Sequence, residues 1–165
     1  MTIEQLNTAE PEAVREQLLR CCGSNAWAAG ILARRPFRNR EELFEAAESV
    51  WCRLSPSDWL EAFSAHPKIG VRKNGSGAIS RWSSEEQSGV DGAGFDIVER
   101  LAKANNEYES RFGWIFLISA TGKSATEILH ELELRLNNES VEELRVAAGE
   151  QAKITRIRLN KLLDE

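Results

Sequence analysis

Helix-start signals recur along this sequence and constrain its fold more than any other feature. Asn39, Ser83, Ser124 and Ser140 each stand three residues before a glutamate, the spacing at which two side chains cap each other's backbone amides. After Asn39, Ser124 and Ser140, apolar residues follow at intervals typical of a helix. Because such spacing places apolar side chains on one helix face, the sequence predicts a series of amphipathic helices.

Other residues mark the remaining helix boundaries. Thr8 is expected to cap a helix over residues 9–22, and Ser24 is expected to cap the next helix. Ser55 is followed by proline, a pair typical of a helix N-terminus because proline fits the first turn. A longer amphipathic helix is predicted over residues 95–111. Nearly every segment is therefore expected to be helical.

Residues 112–120 are the one stretch where other structures compete with an amphipathic helix. They are almost continuously apolar, and their propensities allow a buried strand. Since no partner strand is predicted elsewhere, an extended segment or a buried helix remains, and an extended segment would offer backbone amides to a ligand. We predict an all-α fold, a single-domain helical bundle of roughly seven to nine helices over residues 1–165.

Length and charge narrow the function classes. A chain of 165 residues has the size of one domain, and a net charge of -5 argues against a nucleic-acid partner, which requires a concentrated basic face. No apolar run approaches the roughly 20 residues that span a bilayer, and the first residues do not resemble a secretion signal. We therefore expect no membrane partner and a cytoplasmic location.

The three cysteines indicate neither a disulfide framework nor a metal site. Cys21 and Cys22 are adjacent and Cys52 stands alone, so their number is odd and no spacing resembles a zinc site. We expect all three to be reduced and buried in helices, and we expect no metal.

His66 is the residue with the clearest chemical potential. It lies where a predicted helix gives way to a basic, glycine-rich loop, and Pro67 follows it directly. Histidine exchanges a proton near neutral pH, and a following proline favours an extended backbone at this position. The sequence thus presents an imidazole at a helix exit. A turn histidine without chemistry explains the same residues, as a capping box with Ser83 explains Glu86.

Two functions other than catalysis stay open on these residues. The first is a helical binding module in which the basic last helix is a solvated face. The second is nucleotide binding through Gly122-Lys123-Ser124, but a phosphate loop needs a glycine five residues before Gly122, and position 117 is leucine. A helix start capped by Ser124 and Glu127 explains that motif better. His130, inside the same helix, is expected to have a surface or core role.

Several short motifs, taken in order, resemble one family. They are His66-Pro67-Lys68-Ile69-Gly70, Ser83-x-x-Glu86-Gln87, Phe112-Gly113-Trp114, Gly122-Lys123-Ser124 with Glu127-Ile128-Leu129, Arg135-Leu136-x-Asn138, and Glu150-x-x-Lys153-Ile154 leading into Arg158-Leu159. Each motif is weak alone, but together they are specific. The chain is similar to the 2-oxo-4-hydroxy-4-carboxy-5-ureidoimidazoline (OHCU) decarboxylases of urate degradation.

The resemblance implies a fold, a reaction and a set of catalytic residues. It implies an all-α enzyme, a carboxy-lyase that converts OHCU to (S)-allantoin without a cofactor, and a possible homodimer. By position, it implies that His66 is the catalytic acid/base, Glu86 its acidic partner and Arg158 the group that holds the substrate. We expect these three side chains to share one small dry pocket.

The resemblance also implies a surface that contacts the substrate. This surface consists of three side-chain positions and a main-chain stretch, namely Pro67, Ser83 and Gln87 with Phe116, Leu117, Ile118, Ser119 and Ala120. Trp114 and Ile115 replace the commoner residues after Phe-Gly, so the register of the main-chain contacts is left open.

Overall fold

The computed structural model describes residues 1–69, 85, 86, 88 and 93–164. Within them it contains eight helices and no strand, so the predicted all-α class is confirmed. The backbone divides into two compact units, Met1–Ala65 with the residues from Ala152 onward, and His66–Gln151. The last helix contributes to both units, and the assignment of residues 1–165 to one domain stays a prediction.

Five helices and the end of a sixth build the first unit. They are α1 (Ile3–Thr8), α2 (Pro11–Cys21), α3 (Asn25–Leu32), α4 (Arg40–Trp51), α5 (Pro56–Ser64) and the C-terminal part of the last helix. Helix α3 packs against α2, α4 and α5, and Trp27 on α3 is fully buried. Its indole Nε1 donates to the carbonyl of Ala47 at 3.2 Å, so its one polar atom is satisfied inside the core.

The second unit contains three helices among its described residues: α6 (Phe95–Phe112), α7 (Ala125–Arg135) and the N-terminal part of α8 (Ser140–Asp164). Helix α6 packs against α7. Tyr108 on α6 lies at the centre of an aromatic group, 4.6 Å from the ring of Phe112 and 5.2 Å from that of Phe116. These contacts join α6 to the apolar stretch that follows it.

Most predicted caps are present. Ser24, Asn39, Ser55 and Ser124 each accept a hydrogen bond from a backbone amide in the first turn of the helix that follows. At Ser124 the box is complete, because the Ser124 amide also donates to the Glu127 carboxylate at 2.8 Å. Backbone amides in the first turn of a helix have no acceptor within the helix, and here the cap side chains supply one.

One predicted helix start and one predicted capping box were wrong, although the last helix begins at Ser140 as expected. Thr8 ends α1, a helix that the sequence did not indicate, and its hydroxyl donates to the carbonyl of Glu4 at 2.8 Å. Helix α2 instead starts at Pro11, whose ring suits the first turn. Glu143 does not close a box with Ser140, because its carboxylate is fully buried and hydrogen-bonded elsewhere.

Helix α6 has nearly the predicted bounds but a different buried stripe. Phe95 is 84% exposed and Val98 38% exposed, although both were expected on the apolar face. The buried positions include Leu101, Asn105 and Tyr108. Burial follows the side of α6 that meets the rest of the unit, and the apolar residues of its first turn lie outside that contact. Leu60 on α5, also expected inside, is 37% exposed.

Residues 115–120 form neither a helix nor a strand, so the buried-helix alternative for this stretch was wrong. Two glycines with left-handed backbone bound it: Gly113, with φ 84°, ends α6, and Gly122, with φ 80°, lies in a turn. The amide of Lys123 closes that turn on the carbonyl of Ala120 at 3.0 Å. Positive φ favours glycine because other residues carry a Cβ.

The cysteines are only partly as expected. Cys21 and Cys22 are buried, whereas Cys52, which follows α4, is exposed. None of the described helices is long and apolar enough to cross a membrane.

Candidate active site

His66 lies directly after the C-cap residue of α5, Ala65, and is half-buried. The residues that follow it are held by α6. Asn105, itself only 5% exposed, donates through Nδ2 to the carbonyl of Ile69 at 3.2 Å. The ammonium of Lys68 pairs with the carboxylate of Glu109. The stretch from His66 to Ile69 therefore has a defined position in the second unit.

Asn105 is well suited to this task because its side-chain amide carries two hydrogens. Nδ2 also donates to the carbonyl of Leu101, one turn earlier, at 3.0 Å. The second bond fixes the rotamer of Asn105, and the first then holds the carbonyl of Ile69, whose side chain is buried in the core of the unit. A buried amide used in this way is satisfied rather than costly.

Glu86 is a buried carboxylate, 9% exposed, in a helical pair with Glu85. A carboxylate is buried at a large cost unless hydrogen-bond donors or positive charges surround it. Ser83, Gln87 and the basic segment that is predicted as a loop after Ile69 lie outside the described residues. The predicted box between Ser83 and Glu86 therefore stays a prediction.

The main-chain segment 116–120 carries the predicted main-chain contacts, and side chains hold it in place. Arg135 donates from Nη1 to the carbonyl of Leu117 at 2.8 Å. The amide of Ser119 donates to Oε2 of Glu150 at 2.7 Å. Phe116, Leu117, Ile118 and Ala120 are buried. Two of the polar groups in this segment are thus already used by the protein itself.

A buried polar network supports Arg135. The carboxylate of Glu143, fully buried, accepts from Arg135 Nε at 2.9 Å and from Asn138 Nδ2 at 2.8 Å. It also accepts the phenol hydrogen of Tyr108. Burial, and next the bond to Glu143, raise the pKa of the Tyr108 phenol, which stays protonated and donates. This network gives the Arg135-Leu136-x-Asn138 motif a structural role.

Arg158 lies in the first unit and is 3% exposed. Its Nη1 donates to the carbonyl of Arg20 at 3.4 Å. Burial raises the pKa of the neighbouring Cys22 thiol to about 12, against the opposing effects of hydrogen bonds with Ser24 and Thr155 and of the Arg158 charge. A guanidinium in such a dry environment interacts strongly with any anion it meets.

The units divide the predicted residues between them. His66, Pro67, Glu86 and the main-chain segment 116–120 belong to the second unit, and Arg158 belongs to the first. Sequence reasoning assigned no supporting role to Asn105, Arg135, Glu143 or Glu150, although Arg135 and Glu150 stand in the family motifs. A usable signal was present: Asn105, Arg135 and Glu143 are polar residues at positions where the helical spacing calls for apolar ones.

A cleft in the first unit is distinct from these residues. Its lining includes Trp27, Phe44 and Trp51 but none of the predicted site residues. Arg156 lies over the ring of Phe44 at 4.6 Å and pairs with Glu48 at 3.1 Å. Among the described residues, no group of three or more His, Cys, Asp or Glu side chains is placed to hold a metal ion.

Comparison with known proteins gives one consistent family. The sequence profile described as OHCU decarboxylase matches residues 7–160. The mouse 2-oxo-4-hydroxy-4-carboxy-5-ureidoimidazoline decarboxylase is 32% identical over 138 residues, covering 82% of this chain and 78% of that protein. The uric acid degradation bifunctional protein TTL of Arabidopsis thaliana is 36% identical over 148 residues, 88% of this chain, which spans only 46% of that longer protein.

Solved structures agree in fold. A crystal structure of OHCU decarboxylase in the presence of (S)-allantoin has a TM-score of 0.79 at 34% identity, covering 95% of this chain and all of that one. A crystal structure of (S)-allantoin synthase has a TM-score of 0.74 at 19% identity, covering 99% of this chain and 55% of that one, and shows a shared fold. With its helices, its ordered motifs and these matches along residues 7–160, the chain belongs to the OHCU decarboxylase family.

Proposed function

We propose how this chain carries out the reaction of its family, the decarboxylation of OHCU to (S)-allantoin. The observation that carries the assignment is the family match over residues 7–160, which includes every residue to which a role is given below. The proposal assigns separate tasks to His66, Glu86 and Arg158. It assigns substrate contact to Pro67, Ser83, Gln87 and the main-chain segment 116–120.

The chemistry of the substrate defines what the protein must supply. The bond between the ring carbon and its carboxylate breaks, CO2 leaves, and the electron pair is delocalised into the neighbouring ring imine. A proton is then added to the former imine carbon on one face, and the hydroxyl on the ring becomes a carbonyl. The overall step consumes one proton. The protein must therefore orient the carboxylate and deliver that proton to a single face.

His66 delivers the proton. Its support is its position at the exit of α5, half-buried, with the following residues held by Asn105 and Glu109. Histidine transfers protons near neutral pH, and proton transfer by a placed side chain typically contributes about 10²–10⁴-fold. Because the imidazole meets one face of the bound ring, the product forms as one enantiomer.

Glu86 orients His66 in this mechanism. Its support is its burial, since a buried carboxylate needs donors and an imidazole N–H is a strong one. A carboxylate bonded to one ring nitrogen fixes the tautomer, so that the other nitrogen faces the substrate. Ser83 and Gln87, on either side of Glu86 in the sequence, contact the substrate.

Arg158 binds the substrate through its anionic and carbonyl oxygens. Its support is its burial to 3% exposure and its permanent positive charge. A guanidinium offers two parallel N–H groups to a carboxylate, and the fixed geometry holds the reacting group in one pose. The substrate's own imine accepts the electron pair, so the tasks left to the protein are binding, orientation and proton delivery.

The test is turnover of freshly prepared OHCU, followed by its ultraviolet decay and by the optical activity of the product. Wild-type protein is expected to accelerate the decay and to yield (S)-allantoin only. His66→Asn is expected to lose about 10²–10⁴-fold in kcat while keeping its helical circular dichroism. His130→Asn is the matched control, because this second histidine is exposed on α7, and it should behave as wild type.

Two outcomes would contradict the proposal. If wild-type protein left the OHCU decay rate unchanged, the chain would be a binding module. If His66→Asn kept near-full, enantiospecific turnover, the proton would come from another group, while the family assignment would stand.

A homodimer is the assembly we propose for this chain, as its family resemblance implies. Support comes from apolar side chains left exposed in the second unit, including Phe95, Leu134 and Val141. Sedimentation velocity is expected to give twice the 18.5 kDa of one chain. A single species at the mass of one chain would rule the dimer out.

A further inference from the structure

The main-chain segment 116–120 has a defined conformation without regular secondary structure. Helices and strands order their backbone through bonds to other backbone groups. In this segment two side chains take that role: Arg135 holds the carbonyl of Leu117 at 2.8 Å, and Glu150 holds the amide of Ser119 at 2.7 Å. The two held groups lie on either side of Ile118. They fix the two peptide units that Ile118 shares with its neighbours.

Peptide geometry then determines where the polar groups of Ile118 point. In a planar trans peptide unit, the carbonyl of one residue and the N–H of the next point in opposite directions, and both units here are trans. Because Arg135 binds the Leu117 carbonyl, the Ile118 N–H points away from Arg135. Because Glu150 binds the Ser119 amide, the Ile118 carbonyl points away from Glu150.

The backbone amide and carbonyl of Ile118 face away from the two side chains that hold this segment. No described residue hydrogen-bonds to the amide or the carbonyl of Ile118, although the residue is only 6% exposed. Buried backbone groups are almost always hydrogen-bonded. A substrate group that carries both an N–H and a C=O, such as the ureido group of OHCU, satisfies both at once.

We propose that Arg135 and Glu150 are positioning residues that orient the main chain of Ile118 toward the ureido group of the substrate. This inference rests on the proposed function and adds two side chains to it, neither of which touches the substrate. Each acts through the peptide unit it holds. The specificity of the site for a ureido compound then depends on a buried guanidinium and a carboxylate on the last helix.

The position of Arg135 is itself determined by its surroundings. Its Nη2 and Nε both bond Oε1 of Glu143, at 2.5 and 2.9 Å, and its guanidinium lies 4.6 Å from the centre of the Phe116 ring. Because the guanidinium bonds to Glu143 on one side and to Leu117 on the other, it is held in a single orientation. Removing it would also leave the Glu143 charge buried without its main partner, which destabilises the fold.

Glu150 is therefore the sharper probe, because it is only half-buried. Glu150→Ala removes the acceptor of the Ser119 amide and is expected to lower kcat/KM for OHCU by about 10- to 100-fold. Glu150→Gln keeps an oxygen at the same place and should restore the value to within about 3-fold of wild type. Glu142→Ala, which removes an exposed carboxylate from the same helix, is the matched control and should match wild type.

A second readout separates positioning from stability. Amide hydrogen exchange at Ser119 is expected to be faster in Glu150→Ala than in Glu142→Ala, at equal folded fraction by circular dichroism. Binding of (S)-allantoin, measured by calorimetry, should weaken in the same variant. Arg135→Lys keeps the charge opposite Glu143 but loses the fork that also reaches the Leu117 carbonyl, and it should lower kcat/KM in the same way.

The outcomes are distinguishable. Wild-type kcat/KM and wild-type allantoin binding in both Glu150→Ala and Arg135→Lys would overturn the positioning roles and leave the decarboxylation intact. Absence of OHCU turnover in the wild type would overturn the proposed function itself. A loss in Glu150→Ala that Glu150→Gln does not restore would also overturn the inference, because the hydrogen bond to Ser119 would not be its cause.

Discussion

Arg158 combines a permanent charge with nearly complete burial. Within the first unit, its guanidinium donates a hydrogen bond to the carbonyl of Arg20. Its charge also opposes the rise in the pKa of the Cys22 thiol that burial causes. A lysine at this position would keep the charge but would offer one point of contact in place of a planar fork. The shape of the group therefore matters as much as its sign.

Arg158→Lys is expected to lower kcat/KM for OHCU by about 10-fold or more, because one bidentate contact is lost. Steady-state kinetics on freshly prepared OHCU measure it. Arg156→Lys, two positions away and exposed on the same helix, is the matched control. Unchanged kcat and KM in Arg158→Lys would remove this residue from the substrate site.

The sequence identified some residues of the candidate site and missed others for a physical reason. His66, Glu86 and Arg158 could be named because they belong to short ordered motifs. Asn105 lies in no such motif, and Glu150, although it opens one, could not be given a role, because what each holds, a carbonyl at Ile69 and an amide at Ser119, is set by tertiary packing. Helical spacing marks a polar residue on a buried face but does not say which backbone group it will meet.

At the scale of whole elements, close packing against Gly23 fixes the end of α5. It therefore also fixes the position of His66, which follows that end. A Cβ built on Gly23, which follows α2, would overlap the Cβ of Ala65, the C-cap residue of α5. Only a residue without a side chain allows this approach of the two elements. The three residues Cys22-Gly23-Ser24 thus combine a close contact at Gly23 with the cap of α3 at Ser24.

Gly23→Ala is expected to destabilise the fold by about 1–3 kcal/mol, because the added methyl overpacks this contact. Turnover of OHCU should fall as well, since the end of α5 shifts. Gly149→Ala is the control: nothing lies within 4 Å of its added Cβ in α8, and it should stabilise by about 0.4–1 kcal/mol. Urea unfolding and OHCU kinetics measure both.

The double variant Gly23→Ala with Ala65→Gly tests whether the added methyl group meets the Cβ of Ala65. Removing the opposing methyl should recover part of the lost stability, giving a coupling energy of about 0.5 kcal/mol or more. Strict additivity of the two changes would show that the methyl groups do not meet.

The start of α7 carries a charge effect that depends on pH. Bonds from the Ser124 amide and hydroxyl lower the pKa of Glu127 below its ordinary value of 4.5. A lowered pKa in the folded state adds stability above the ordinary pKa, and this stability disappears as the pH falls through the lowered value. The glutamate is exposed, so the effect is expected to be modest and sensitive to salt.

Glu127→Gln should therefore be less stable than wild type at neutral pH, and the difference should be smaller at an acidic pH below the ordinary pKa of 4.5. Urea unfolding at both pH values measures it. Glu131→Gln, an exposed glutamate in the middle of the same helix, controls for net charge. A difference of constant size across this range would mean that the Glu127 charge does not support the cap.

Local signals predicted the helices, and their limits explain the errors. The caps at Ser24, Asn39, Ser55 and Ser124 depend on residues within one turn, so the sequence alone sufficed for them. Glu143 had the same local pattern, but Tyr108 and Arg135 compete for its carboxylate. With Asn138 as a third donor, this network binds the Glu143 carboxylate in place of the backbone amide that a capping box would use. Two of the three donors are distant in the sequence, so a local pattern could not predict the outcome.

At the scale of the whole molecule, the fold class was predictable but the arrangement of its parts was not. Apolar spacing of three and four residues identifies helices wherever they occur. Which helices meet, such as α6 with α7 or α3 with α5, depends on contacts between residues distant in the sequence. The exposed position of Cys52 follows from such packing and contradicted the expectation of three buried thiols.

Thiol labelling checks that packing. Native protein should react rapidly at Cys52 alone, because Cys21 and Cys22 are buried and burial raises the pKa of Cys22 to about 12. All three thiols should react after unfolding, and Cys52→Ser should abolish the rapid reaction. If two or three thiols per chain reacted rapidly in the native protein, the first unit would have to open readily.

The way in which the main-chain segment 116–120 is held has a consequence for the fate of damaged protein. The sequence Trp-Ile-Phe-Leu-Ile has the apolar, uncharged character of stretches that assemble into cross-β fibrils. In the native fold, no strand lies beside it among the described residues. Arg135 binds the carbonyl of Leu117 within it, and Glu150 binds the amide of Ser119 directly after it. Substitutions that release those two side chains would expose a template for intermolecular β-pairing, so aggregation, rather than simple unfolding, is the failure to expect from them.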